Sequence, residues 1–433
     1  MRYRYTVPKW LDFSEYQDRF VRRNFFANTM DGALFAFGLK FVSLVTVLPI
    51  LVQKLGGTNV AVGMIPVLWN TGFNLPQIFI ANTARRQPYK KPFVLKTALI
   101  QRIPWLVLAA LCFFRFDEIN TLPGLILFFS GLTIAAVGGS LNMPGWFDLI
   151  NKVTPVRLRG RLFAFRTILG AILGILAGWV IKIVLDTMNF PKNFALLFLL
   201  AFIVMMGSYI FLALVREEEP NAPKQILRNR EFFRILPKIL KNNSNFTSYL
   251  VADALIMVAV MANAFYTVHA LKTFSLAESY AGTFTIVMTV SMIAGNVLFG
   301  YLADQYGHRL NLIIAAGSTA VACLIALVAP AVELYYLAFI GSAFTISLIQ
   351  ISRLTIIAEL SGESERTTYV ALTNLITAPF VFSGIFGGWL ADSFGYDTIF
   401  YVAGGFALLA VLWLFIMVQE PRSNPPAPAI AEL

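Results

Sequence analysis

The chain has 433 residues, of which 58% are hydrophobic and 13% charged, with a mean hydropathy of +0.71. So little charge could not cover the exteriors of two or three water-soluble domains, which excludes a conventional soluble enzyme. The net charge of +11 does not indicate nucleic acid either, because the basic residues fall between apolar runs and gather on no single soluble face. The expected solvent is lipid, and 39 Phe and 29 Gly suit helices packed in a bilayer.

The segment 1–23 is polar and aromatic and is expected to hold no cleavable leader, with Trp10 to Arg23 forming an interfacial helix. Apolar stretches long enough to cross a hydrocarbon core of ~30 Å begin near Asn24, Val60, Phe93, Thr121, Leu162 and Asn193. Six more begin near Phe246, Ser279, Leu310, Glu333, Thr367 and Tyr396. The predicted organisation is a six-helix bundle over 24–215, a cytoplasmic loop over 216–245, a second bundle over 246–419 and a Pro-rich tail over 420–433. From Pro223 the loop alternates apolar pairs with basic residues, which suits a helix on the inner membrane surface or a linker interrupted by Pro237. Cys112 and Cys323 lie in separate runs and read as small packing residues, with no metal-ligand spacing nearby.

Orientation follows from the 34 Lys and Arg: 26 fall on the side carrying both termini and five on the opposite loops, so both termini are expected to be cytoplasmic. Arg166 is counted there as a loop residue; Lys40, Arg102 and Arg353 remain inside spans. The sequons at Asn242 and Asn245 lie on the cytoplasmic side, and no glycosylation is expected.

The two halves repeat. A shift of 222 residues places Asp31 over Asp253 near the start of spans 1 and 7, and Asn82 over Asp304 at the end of spans 2 and 8. After span 8 stands Gly300-Tyr-Leu-Ala-Asp304-Gln-Tyr-Gly307-His-Arg309. Here the chain resembles the major facilitator superfamily, whose loop between helices 2 and 3 carries G-x-L-A-D-x-x-G-R-[RK]. The resemblance, together with the twelve spans and the 6+6 division, covers essentially the whole chain. It implies an all-α membrane protein of twelve helices in two pseudo-symmetric bundles, with spans 1, 4, 7 and 10 around a central cavity.

In this motif the glycines are expected to give tight helix contact and a sharp turn, Asp304 to accept bonds from a facing helix N-terminus, and Arg309 to hold the loop at the headgroups. The first-half copy, Phe79-Ile-Ala-Asn82-Thr-Ala-Arg85-Arg86, has Asn in place of the Asp and should lock less firmly. Asp148 with Arg159, and Glu359 with Arg366, resemble the family's inner acid and arginine pairs. Gly170, Gly174 and Gly178 form a small-residue stripe on span 5, read as packing between the halves; the Pro that follows in family antiporters is missing.

Ionisable residues inside a span mark a pathway or a structural pair. Asp31 and Asp253 are expected at similar depth, facing each other across the pseudo-twofold axis as proton carriers; the alternative is local pairing, for instance with Arg353. Lys40 is nine residues from Asp31, so the two point to opposite sides of span 1, and either could face the cavity. Lys40 and Arg102 make the midplane positive, which favours a substrate with an anionic group; Lys40 is equally readable as a packing or snorkelling cation, and Arg102, on a span that the resemblance places at the periphery, reads more readily as one. Asn28 and Gln350 could add neutral hydrogen bonds, with Asn263, Tyr266 and Asn374 as further candidates.

The expected function is therefore secondary active transport of a small organic solute by alternating access, coupled to protons, with no cofactor and no metal. A lipid-like amphiphile or drug exporter of the same fold is the alternative, and a non-transporting sensor a further one. No nucleotide-binding loop and no catalytic constellation of His, Asp and Glu argue for an enzyme. The expected partners are the solute, protons and the bilayer, with the resemblance implying a functional monomer. The expected location is the cytoplasmic membrane of a prokaryote.

Overall fold

The computed structural model describes residues 20–114, 120–218, 239–361 and 366–422, apart from the side chains of Ile78, Phe79, Ala81, Asn82, Arg85 and Thr367. The interfacial helix expected before Arg23 lies almost wholly outside the described residues, as do most of the central loop and the tail beyond Arg422.

The described chain is helical throughout. In the first half come α1 (Val21–Phe41), α2 (Asn59–Arg86), α3 (Lys90–Phe114), α4 (Thr121–Val153), α5 (Val156–Thr187) and α6 (Lys192–Leu214). The second half holds α7 (Ser244–Thr273), α8 (Tyr280–Tyr306), α9 (His308–Val328), α10 (Val332–Leu360), α11 (Thr368–Phe394) and α12 (Tyr396–Met417). Ten of these are long and apolar enough to cross a membrane by composition. The other two, α1 and α2, have 21 and 28 residues and pack within the same bundle, consistent with twelve spans. A short helix, Leu48–Lys54, follows α1 and had no counterpart in the expected elements.

Each half uses the same packing plan. Helix α1 lies against α5 and α6, α4 against α2 and α3, and α3 against α6; in the second half α10 lies against α8 and α9, and α12 against α7 and α9. Single glycines make the tight connections α8–α9 and α11–α12. Gly307 and Gly395 adopt φ of 87° and 90°, a region that costs a residue with a Cβ strain. Helices α7 and α11 are not continuous α-helix: 3₁₀ segments interrupt them at Val260–Ala264 and Ala378–Phe382, the second containing Pro379.

The halves meet along two seams, α5 with α8 and α2 with α11. The glycine stripe of α5 lies in the first: a Cβ on Gly178 would come within 2.8 Å of the Gly282 carbonyl, and one on Gly174 within 3.0 Å of Thr289. Only small residues allow backbones this close.

One expected boundary is corrected. Helix α5 begins at Val156, six residues before Leu162, because Pro155 starts the helix and the apolar face extends back through Leu158. The run Arg157, Arg159, Arg161 and Arg166 is therefore helical, and Arg166 stands ten residues inside α5.

Candidate substrate cleft and its charged residues

The hydrogen bonds and ion pairs that cross between the halves, among the described residues, all lie at the end away from the termini. Thr46 meets Thr285 (Oγ1 to Oγ1, 2.7 Å), Thr267 donates to the Val45 carbonyl (2.8 Å), and Lys54 pairs with Glu278. Asp392, near the end of α11, accepts from the backbone N–H groups of Asn59 (3.0 Å) and Val60 (3.1 Å), capping the N-terminus of α2. Tyr396 links the same Asn59 (2.6 Å) to Gln53 (2.9 Å). The far end is thus closed, and the contacts described at the end bearing the termini stay within one half or the other.

Lys40 sits in the last turn of α1, six residues before Thr46. Its aliphatic stem lies beside Gly174 of α5, and Thr289 of α8 approaches the same glycine. Its amine makes no hydrogen bond or ion pair among the described residues. Lys40 therefore lies beside the α5–α8 seam with its amine unpartnered among the described residues.

Asp31 points the other way. Its Oδ1 accepts from the Ser208 hydroxyl of α6 (2.7 Å) and its Oδ2 lies 3.4 Å from Nη1 of Arg166. Arg166 also donates to the Asn28 carbonyl (2.6 Å), and its guanidinium lies between Gly32 and the Trp146 ring, 4.9 Å from the ring centroid. Any side chain at position 32 would collide with it. Arg102 does not snorkel. It is 2% exposed and donates to the Met205 carbonyl (2.9 Å), the Ala98 carbonyl (3.0 Å) and the Ser208 hydroxyl (3.0 Å).

Asp253 is clasped by Arg353. Nε donates to both carboxylate oxygens at 3.0 Å and Nη2 to Oδ2 at 2.9 Å, while Thr377 (3.2 Å) and Asn374 (3.5 Å) accept further bonds from the same guanidinium. The expected confrontation of Asp31 and Asp253 across the axis is therefore corrected: each carboxylate is taken by an arginine of its own half. A bare carboxylate in this environment would cost more than the pair does.

The neutral candidates separate. Asn28 is fully buried, and its carboxamide makes no hydrogen bond among the described residues. Gln350 is exposed. Asn263 is occupied by the Ser342 hydroxyl (2.9 Å). Tyr266 is corrected to a core residue, completely buried and stacked on Phe400 at 5.3 Å.

The motif residues lie at the end bearing the termini. Gly307 makes the sharp turn, but a Cβ on Gly300 would meet nothing within 4 Å, so no tight helix contact requires that glycine. Asp304 is exposed and caps no helix here. The carboxylate that does so is Glu420, just past α12, which accepts from the Arg309 N–H (3.1 Å). Arg309 binds the last carbonyls of α12, Leu414 (3.0 Å) and Phe415 (2.7 Å), rather than reaching outward to headgroups. Glu359 pairs with Arg422 (2.9 Å), and Asp148 lies 3.9 Å from Lys90. Arg159 ties the α4–α5 turn through the carbonyls of Asn151 (2.6 Å) and Thr154 (3.2 Å), and Arg366 is exposed two residues before α11. Arg86 is exposed at the end of α2, where the backbone also carries Asn82 and Arg85.

Sequence reasoning missed a symmetric pair of clamps. Glu217 caps α3 through the N–H groups of Lys90 (2.9 Å) and Lys91 (2.8 Å), as Glu420 caps α9. Asn24 exchanges two hydrogen bonds with the Arg216 backbone (3.0 and 2.8 Å), and Asn245 does the same with Gln419 (3.0 and 2.8 Å). The signal was present as Val215-Arg-Glu217 after α6 and Val418-Gln-Glu420 after α12.

The model of the Major Facilitator Superfamily matches residues 254–432. The fold is that of the major facilitator superfamily. A single-substitution variant of the nucleoside transporter NupG superposes with a TM-score of 0.70 at 14% identity, covering 92% of this chain and 100% of that one. A bacterial homologue of the human lysosomal transporter Spinster, inward-facing and unoccupied, gives 0.70 at 13%, covering 96% and 100%. A D-xylose-proton symporter gives 0.69 at 16%, covering 94% and 100%. At these identities the likeness is one of fold. No curated protein matches the sequence. The superfamily fold, with ten helices long and apolar enough to cross a membrane, makes this a multi-pass membrane protein of two bundles joined along two seams. Among the described residues, no group of three His, Cys, Asp or Glu could hold a metal ion.

Proposed function

We propose that the protein is a secondary active transporter that moves a small organic solute bearing an anionic group, with protons as the coupling ion. The observation that carries this reading is Lys40: an ammonium group with no acceptor among the described residues, beside the α5–α8 seam where the halves must part. A charge in a low-dielectric site needs a partner, and a solute anion supplies one.

Proton coupling is assigned to Asp31 rather than to Asp253. Asp31 is held by one hydroxyl and one contact of 3.4 Å, whereas Asp253 is locked by three bonds of 3.0 Å or less. With both termini cytoplasmic, as the distribution of Lys and Arg supports, the cleft opens inward and Asp392 latches the outer side. The contacts described for Arg309 and Glu359 stay within the second half in this state; the motif around Asp304, Arg309, Glu359 and Arg366 latches the inner side in the opposite one. The transporter works as a monomer in the cytoplasmic membrane of a prokaryote.

The test is the melting temperature of the detergent-purified protein against organic anions, cations, neutral solutes and amphiphiles, at mildly acidic and neutral pH. A ligand at 100 times its Kd adds about 2.7 kcal/mol. Stabilisation confined to anions and lost in Lys40→Ala is expected; stabilisation by cations or amphiphiles alone would overturn the reading.

A further inference from the structure

The first bundle forms a half-open cavity of about 170 Å³ walled by residues from all six of its helices and none from the second half. The volume admits several water molecules or the acidic end of a small organic molecule. Its charged wall consists of Arg102, Arg166 and Asp31, two guanidinium groups against one carboxylate.

The imbalance is matched by idle hydrogen-bonding capacity. A guanidinium has five N–H donors. Arg102 uses three, and Arg166 uses only Nη1, leaving Nε and Nη2 without an acceptor among the described residues. Gln101, 6% exposed and lining the same cavity, makes no side-chain hydrogen bond there. Around these donors the wall is apolar and aromatic: Phe35 lies 5.3 Å from the Arg102 guanidinium, and Trp146 backs Arg166. Buried polar groups are normally satisfied, and two forked cations beside an unpartnered amide fit the geometry of a carboxylate.

We infer that this cavity is a binding site for a small organic carboxylate with an apolar body, its oxygens held by Arg102, Arg166 and the Gln101 amide. Asp31 is the internal counter-ion, facing Arg166 on α5, Ser208 on α6 and, through Ser208, Arg102 on α3. A bound carboxylate supplies the missing negative charge. Lys40 does not line this cavity, and the assignment stands whether or not Lys40 meets an anion.

Calorimetric titration and melting of the purified full chain with benzoate, its neutral isostere benzamide and inorganic phosphate test this. Benzoate should bind and benzamide should not; Arg166→Gln and Arg102→Gln should each weaken benzoate at least tenfold. Because an arginine variant could fail to fold, Met143→Trp keeps every charge and fills the cavity; it should abolish benzoate binding while melting as a single folded species. Benzoate binding unchanged in Arg166→Gln and Met143→Trp, equal binding of benzamide, or no benzoate binding by the wild type would each overturn the site. Binding of phosphate in preference to benzoate would overturn the carboxylate assignment. Loss of benzoate in Lys40→Ala alone would overturn the cavity and leave the proposed function in place.

Discussion

The same aspartate, repeated in the two halves, is used in two ways. In the second bundle Asp253 and Arg353 form a closed, bidentate unit with Asn374 and Thr377 around it. In the first, Asp31 is shared among Ser208, Arg166 and, through the serine, Arg102, with one contact long and donors to spare. The partner also changes helix: Arg166 comes from α5, whereas Arg353 comes from α10, the counterpart of α4. A duplicated carboxylate thus ends as a structural pin in one half and as part of an open polar network in the other. The half with the loose network is the one suited to exchanging protons and ligands.

The largest effect should come from breaking the pin. Arg353→Gln leaves Asp253, 2% exposed, without its charge partner, and removing one member of a buried pair costs about 3 to 5 kcal/mol. Melting should drop sharply, and the double variant Arg353→Gln with Asp253→Asn should recover most of the loss. Equal drops in Arg353→Gln and Asp31→Asn would erase the contrast between the halves.

An intermediate effect belongs to the far-end latch. Asp392→Ala removes the cap from α2, worth about 1 kcal/mol, which corresponds to about a fivefold shift between the two states. Spin-label distances across the far end should lengthen in a larger share of molecules. Unchanged distances would mean that the seams alone set the state.

The smallest effect concerns the paired caps. Glu217 is held by two backbone N–H groups and by Lys152 (2.8 Å), but Glu420 by the Arg309 N–H, and burial pushes the Glu420 carboxyl above its usual range. A carboxyl raised in the folded state stabilises most fully below its unfolded pKa and loses that contribution as pH rises through the folded value. The melting temperature of wild type relative to Glu420→Gln should therefore improve on acidification; a difference independent of pH would contradict the assignment.

Much of the architecture was legible because hydropathy, basic-residue counting and the 222-residue repeat are global signals that local irregularity does not erase. The bilayer constrains span length, so the twelve starts fell within a few residues of the helices in all but α5. Arg166 was lost for a physical reason: counting basic residues assigns a run of arginines to a loop, and a helix that continues past the membrane surface defeats that rule. Arg166 is seven residues from Arg159, two turns along one face, which was the available clue. The pairing of Asp253 with Arg353 was foreseeable as an alternative, since both are charged at similar depth. That Asp31 would choose α5 and α6 over its symmetry mate was not, because it depends on Gly32 leaving room for a guanidinium. The broken stretches of α7 and α11 were equally hidden, apart from Pro379.

The most direct measurement of the central claim is uptake into proteoliposomes. The anion that best stabilises the purified protein would be supplied outside, with an imposed proton gradient. Accumulation above equilibrium by the wild type, reduced to equilibration in Asp31→Asn and lost in Lys40→Ala, is the expected result. Absence of flux, or accumulation indifferent to the proton gradient and to Asp31→Asn, would contradict it.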